Sequence, residues 1–62
     1  METKTGSELK PGDTFVDVDR VWHTVRSVQP FGLREATADI AFLTTVGRVV
    51  WVRPDETVEV AS

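Results

Sequence analysis

Few side chains in this sequence could act in acid-base catalysis or bind a metal, and their spacing favours neither of these functions. His23 is the single histidine and there is no cysteine, so a zinc site with its usual four or so ligands cannot be assembled. Asp13, Asp17 and Asp19 are spread along a predicted strand and its turns instead of wrapping a cation in about six or more oxygens. His23 shares the alternation of the apolar valines, which predicts a buried imidazole bonded to a backbone group. We therefore expect a non-enzymatic protein with no metal and no cofactor.

Two tryptophans and several arginines offer a different chemistry, the recognition of another macromolecule. Trp22 and Trp51 fall on the faces of their predicted strands that point away from the core. Tryptophan and arginine are enriched among the energetically dominant residues of interfaces, because each combines a large contact area with a polar group. The candidate partner-binding residues are Trp22, Arg26, Leu43, Val49, Trp51 and Arg53. The structural alternative is that both tryptophans cap the core or lie under the 29–37 loop, with arginine stems packed over them.

The charged residues are distributed unevenly along the chain. The net charge is −3, but residues 1–19 and 54–62 carry −3 each and residues 20–53 carry +3. This central stretch contains both tryptophans and predicts a protein-binding surface, whose partner is another protein or a second copy of the chain in a homodimer.

The alternative function is that of a nucleic-acid-associated accessory factor. In such a protein bases stack on the tryptophans and guanidinium groups meet phosphates. The pI of about 4.9 and the presence of only two lysines argue against this function, because nucleic-acid-binding domains are usually basic. Protein binding is therefore the favoured hypothesis.

The length and composition of the chain predict how many domains it forms and where in the cell it is found. Sixty-two residues with 40% apolar side chains predict one small domain, which buries roughly 60% of the surface that its unfolded chain exposes. No segment approaches the roughly 18 apolar residues of a membrane helix, so we expect a cytoplasmic protein that does not contact membranes. Five arginines against two lysines favour a GC-rich gene from a bacterium or phage.

β-Branched residues dominate the chain and predict an almost entirely β fold. Eleven valines and eight threonines fit a pleated surface better than a helix. In the first half of the chain, alternation around a two-residue loop at 19–20 predicts a hairpin in which Val16 faces His23. This pairing puts the valines on the core face and leaves Phe15 on the outside.

The second half of the chain predicts another hairpin and a closing strand. Residues 29–37 contain proline and glycine without periodicity and indicate a long loop, with a short helical turn over 33–38 as an option. Strands at 39–44 and 48–53 reverse through a three-residue loop that ends in Gly47. One face then carries Ile40, Phe42, Val50 and Val52, and the other carries Ala41, Leu43, Val49, Trp51 and Arg53.

Three segments of the chain carry a resemblance to a known architecture. They are the entry turn Leu9-Lys10-Pro11-Gly12-Asp13, the glycine hairpin Gly47-Arg48 and the closing segment Pro54-Asp55-Glu56-Thr57-Val58-Glu59-Val60. Together they resemble the SH3-like small β-barrel superfamily. The resemblance implies a single five-stranded barrel over residues 9–62, with a short 3₁₀ turn before the last strand. Residues 1–8 precede it, and their polar composition predicts a flexible N-terminal segment.

The departures from that superfamily concern function. Peptide-binding SH3 domains carry a tyrosine in the closing turn, where this chain has Thr57, and the chain contains no tyrosine at all. The binding of proline-rich peptides is therefore not implied.

Overall fold

The regular secondary structure is almost entirely β in the part of the chain that the structure describes. The structure is a computed structural model and describes residues 2–29 and 39–61. Its strands are β1 (Glu2–Thr5), β2 (Thr14–Val16), β3 (Trp22–Val28), β4 (Ile40–Thr44), β5 (Val49–Val52) and β6 (Thr57–Val60). A 3₁₀ helix, Gly6–Glu8, follows β1. The predicted all-β class is confirmed.

Within residues 2–29 and 39–61 the strands form one antiparallel sheet, and its two edge strands are not paired with each other. The six strands lie in the order β1-β6-β2-β3-β4-β5. The prediction of a closed five-stranded barrel is therefore wrong in strand number and in closure. The sheet still curves enough to bring its edges together at Gly6, where an added Cβ would overlap the carbonyl oxygen of Arg53. Such close approach of two backbones requires glycine.

The N-terminal residues form a strand where the sequence predicts a flexible segment at 1–8. β1 pairs with β6 along its whole length. The Lys4 ammonium donates to the Asp13 carboxylate at 3.1 Å, and the Gly6 N–H donates to the Glu56 carbonyl at 2.9 Å. Backbone pairing uses N–H and C=O groups that every residue other than proline carries, so a polar segment can form an edge strand without apolar periodicity.

The core lies on one side of the sheet and is built around two phenylalanines. Phe15 and Phe42 are completely buried, with ring centroids 6.2 Å apart and planes at 60°. Each buried side chain of this kind stabilises the fold by about 1.5–3 kcal/mol. The other buried members of the cluster are Leu9, Val25, Val52, Val58 and Val60. They come from both halves of the chain, so each hairpin needs the other to bury its apolar face.

The β2–β3 hairpin differs from its predicted register by one residue. Phe15, and not Val16, lies opposite His23. Because successive side chains of a strand alternate between faces, this shift turns all of β2 over and places Phe15 in the core. The prediction that Phe15 faces outward is wrong.

The shift arises in the loop, which is longer than the predicted two residues. A turn runs from Asp17 to Arg20, closed by the Arg20 N–H donating to the Asp17 carbonyl at 3.0 Å. Arg20 adopts a φ of 60°, a conformation that its residue type does not favour. Two predicted core valines consequently lie at the surface, Val18 with 88% and Val21 with 48% of its area exposed.

The β4–β5 hairpin has the predicted register. Leu43 lies opposite Val49, and the chain reverses over residues 45–47. Gly47 takes a φ of 81° and donates its N–H to the Thr44 carbonyl at 3.0 Å. The two faces predicted for this hairpin are therefore confirmed.

The remaining connections include one that the structure does not describe in full. The predicted loop at 29–37 and its optional helical turn at 33–38 lie outside the described residues, except for Gln29. Before β6 the Glu56 N–H donates to the Arg53 carbonyl at 3.1 Å, which closes a single turn where a 3₁₀ turn is predicted. Among the described residues no helix is long and apolar enough to cross a membrane.

Candidate interaction face

The side of the sheet opposite the core carries an apolar surface on β4 and β5. Leu43 and Val49 are cross-strand neighbours there, and Trp51 lies two residues further along β5. Val49 is 46% and Trp51 is 38% exposed, while Leu43 is half-buried. We call these three residues the Trp51 patch. Its side chains share one face because residues directly opposite each other, and residues two apart, point the same way from a sheet.

Trp22 lies on the same side of the sheet but far from this patch. The Thr45 N–H donates to the Thr24 carbonyl at 3.0 Å, which places Trp22 level with the turn before β5. Trp51 instead lies opposite Ala41, about six residues away along the sheet, or about 20 Å. The hypothesis that both tryptophans belong to one continuous surface is therefore not supported.

The surroundings of Trp22 form a separate apolar site. Trp22 is 51% exposed and lies opposite Val16, which is only 7% exposed although it faces away from the core. Val16 also lies opposite Glu59. About half of Trp22 is therefore exposed, and its position beside Val16 suits it to shield that valine from water.

The candidate arginines lie near the Trp51 patch and are exposed. Arg53 follows the patch along the chain, and its Nε lies 3.8 Å from an Asp55 oxygen. Both side chains are well exposed, at 65% and 84%, so water and salt screen this ion pair. Arg26 occupies the point on β3 where the pairing with β4 shifts by one residue. Ser27 beside it lies opposite Leu43.

His23 is buried on the core face as predicted, but its partner is a side chain. Its ring is 4% exposed, and its Nε2 lies 3.0 Å from an Asp19 carboxylate oxygen. The other Asp19 oxygen accepts the Val21 N–H at 3.0 Å. The hydrogen bond to His23, followed by that from Val21, holds the pKa of Asp19 below its usual range. The predicted backbone partner for His23 is replaced by Asp19.

A shallow groove, which the sequence did not indicate, runs between the β2–β3 turn and the turn before β6. It has a volume of about 270 Å³, and the residues that line it include Asp17, Glu56 and the apolar Val16 and Val58. The hydrogen bond between the Asp17 and Glu56 carboxyl groups, followed by burial, raises the pKa of Glu56. These two residues are far apart in the sequence, and only the folding of both turns brings them together.

Similarity to known proteins does not identify this site. No protein-family model matches the chain, and no curated protein or solved structure is significantly similar to it. Within residues 2–29 and 39–61, no group of three or more histidine, aspartate or glutamate side chains is placed to hold a metal ion. The surface chemistry of the molecule is therefore the guide to its function.

Proposed function

We propose that this chain is a non-enzymatic protein-interaction module that binds its partner through the Trp51 patch. The observation that carries the proposal is the joint exposure of Val49 and Trp51 beside Leu43 on one face. A small domain gains stability from every large apolar side chain that it buries, so leaving a tryptophan and a valine partly in water favours a second role for them. Aromatic side chains of this kind contribute most of the binding energy in many interfaces.

The placement of His23 supports a role other than catalysis. The imidazole is 4% exposed, and its Nε2 is bonded to Asp19. A general base must come within about 3 Å of the proton that it removes. His23 fits the description of a core residue that fixes a loop.

The proposal includes a cytoplasmic location. The cysteine-free composition supports it, because disulfides are rare in proteins of the cytoplasm.

The resemblance to SH3-like barrels leaves the kind of partner open, because one fold serves many functions. A homodimer formed through the Trp51 patch is one form of the proposal. The second candidate, nucleic-acid binding, is favoured by the exposed arginines Arg20, Arg26, Arg48 and Arg53. In that case affinity must fall steeply with added salt, and binding that is insensitive to salt would reject it.

Affinity capture from a lysate of the source organism tests the proposal. Native protein and the variants Trp51→Ala, Val49→Ser and Trp22→Ala serve as baits. We expect the captured proteins to be retained by Trp22→Ala and lost with both patch variants, each of which must show the native circular dichroism spectrum. Capture of the same proteins by all four baits would overturn the proposal. Sedimentation velocity on the same samples detects the homodimer, which the patch variants should abolish.

A further inference from the structure

Charge is divided between two halves of the sheet. Strands β1, β6 and β2 with their turns, residues 2–19 and 54–61, carry eight carboxylates and two lysines, which gives −6. Strands β3, β4 and β5 with their described turns, residues 20–29 and 39–53, carry four arginines and one aspartate, which gives +3. We call these the acidic half and the basic half. The Trp51 patch lies in the basic half.

Two exposed arginines border the Trp51 patch. Arg53 comes two residues after Trp51 along the chain. Arg26 lies on β3, next to the residue that faces Leu43 across the strand pair. The apolar patch is thus bordered by guanidinium groups, which form charge-assisted and often bidentate hydrogen bonds with carboxylates.

We propose that the Trp51 patch binds an acidic segment of a partner protein, one whose apolar side chains pack on Trp51 while its carboxylates meet the bordering arginines. This inference rests on the proposed function and adds the chemistry of the partner to it. The ligand needs apolar side chains for the contact with Trp51 and carboxylates for the arginines. A segment that has only one of these two features should therefore bind more weakly than a segment that has both. The acidic half repels the same ligand and so orients its approach towards the patch.

Charge complementarity favours this ligand over a second copy of the chain. A two-fold symmetric dimer through the Trp51 patch would bring the same surface together twice, so the arginines around one patch would face those around the other. Like charges brought together at an interface weaken it. An acidic partner satisfies the same arginines without this repulsion.

The surroundings of Arg53 also favour a short acidic segment over a nucleic acid. An Asp55 carboxylate oxygen lies 3.8 Å from the Arg53 Nε, so the acidic half begins next to the patch on this side. The Debye length at physiological salt is about 8 Å, which leaves part of this repulsion unscreened. A nucleic acid carries a charge at every nucleotide and meets this repulsion along its length, whereas a peptide can place its carboxylates at the arginines alone.

Selection from a display library of short random peptides tests the inference. Native protein is the bait, and binders that also bind the Trp51→Ala variant are removed. We expect the surviving peptides to be enriched in aspartate and glutamate together with aromatic or aliphatic residues. Their affinities are then measured by the fluorescence of Trp51 in a Trp22→Phe background, where Trp51 is the single tryptophan of the chain.

Charge reversals in the two halves provide the matched controls. Arg26→Glu and Arg53→Glu should each weaken the selected acidic peptides by roughly threefold or more, since exposed ion pairs contribute up to about 1 kcal/mol. Lys10→Glu makes the same change of charge at an exposed residue of the acidic half and should alter affinity by less than about twofold. Equal effects of all three reversals would overturn the inference.

The outcomes separate this inference from the proposed function. Surviving peptides that are basic or uncharged would overturn the acidic-segment inference and leave the protein-interaction function standing. The absence of any peptide that depends on Trp51 would overturn both. Tighter binding of a single-stranded oligonucleotide than of the best peptide, with loss in Arg26→Glu, would overturn the inference in favour of nucleic acid.

Discussion

Asp19 ties the β2–β3 loop to the core through His23 and Val21, and this makes stability depend on pH. The two hydrogen bonds lower the pKa of Asp19 in the folded state, so its contribution is present above the unfolded-state pKa of about 3.9 and is lost as the pH falls through the folded-state pKa. We expect Asp19→Ala to lower the thermal midpoint at pH 7, and the difference from native protein to shrink below about pH 4.

Asp19→Asn is the matched variant for that measurement. It keeps an oxygen for the Val21 N–H, but it removes the charge and puts an NH2 group in place of the oxygen that faces His23. Its midpoint at pH 7 should therefore lie between those of native protein and Asp19→Ala. Identical midpoints for all three proteins across the pH range would show that Asp19 does not hold the loop.

Glu56 makes the stability of the fold depend on pH in the opposite direction. Its pKa is raised because its carboxyl group is hydrogen-bonded to that of Asp17 and partly buried, so the fold favours the protonated form. Stability from this pair is present at low pH and is lost as the pH rises through the raised pKa. We expect Glu56→Gln to raise the thermal midpoint at pH 7 and to give no gain below about pH 4.

The neighbouring Asp55 provides the control for the Glu56 measurement. Its side chain is 84% exposed, so Asp55→Asn removes a similar charge without touching the groove. A rise in midpoint of equal size in Asp55→Asn and Glu56→Gln would attribute the effect to net charge and contradict the role of the carboxyl pair.

At the scale of elements, Gly6 is the point where the chain after β1 reaches the end of β5. A Cβ there would overlap the Arg53 carbonyl oxygen, so Gly6→Ala must displace one backbone segment. We expect a loss of about 1–3 kcal/mol in the free energy of unfolding, measured by urea denaturation. Gly6→Asn should be at least as destabilising, because the conflict is one of space.

Gly47 offers a contrasting glycine, since it has open space around its Cα but a φ of 81°. Gly47→Ala should cost about 1–2 kcal/mol through its backbone conformation. Gly47→Asn should recover part of that loss, because asparagine tolerates a positive φ. Recovery by asparagine at position 6 as well would contradict the steric account of Gly6.

The two hairpins show which parts of the fold the sequence could predict. In β4–β5, Gly47 fixes the turn and the alternation of apolar residues agrees with it, so register and faces were both predicted. In β2, Phe15 and Val16 are both apolar, and the pattern alone does not say which faces the core. The register there is set by a loop in which Arg20 takes a positive φ, a feature that residue type does not signal.

Strand alternation, which is a local property, placed Trp22 and Trp51 away from the core face. It left open whether they are exposed or lie under the 29–37 loop. Their separation depends on how β3 and β4 align, and the pairing of Asp17 with Glu56 depends on two distant turns. Local sequence patterns cannot predict such relations between elements, because they arise only when the whole sheet is folded.

At the scale of the whole molecule, β1 protects β6 and joins the N-terminal segment to the rest of the sheet. The sequence predicts flexibility there, whereas the structure pairs Glu2–Thr5 with β6 and adds the Lys4 ion pair to Asp13 at 3.1 Å. Removal of residues 1–5 would leave β6 at the edge of the sheet with unpaired backbone groups. We expect the truncated protein to lose about 2 kcal/mol or more in urea denaturation, because several backbone hydrogen bonds worth about 1 kcal/mol each are lost.

The exposed β6 edge should also change how the protein associates. An unprotected edge strand is a template for pairing with another chain, so the truncated protein should form oligomers as its concentration rises in sedimentation velocity experiments. Lys4→Met, which removes only the ion pair to Asp13, should remain as monomeric as the native protein and lose less stability. If truncation leaves the urea midpoint and the sedimentation profile unchanged, β1 contributes nothing to the sheet in solution. In that case the flexible segment predicted from the sequence is the better description of these residues.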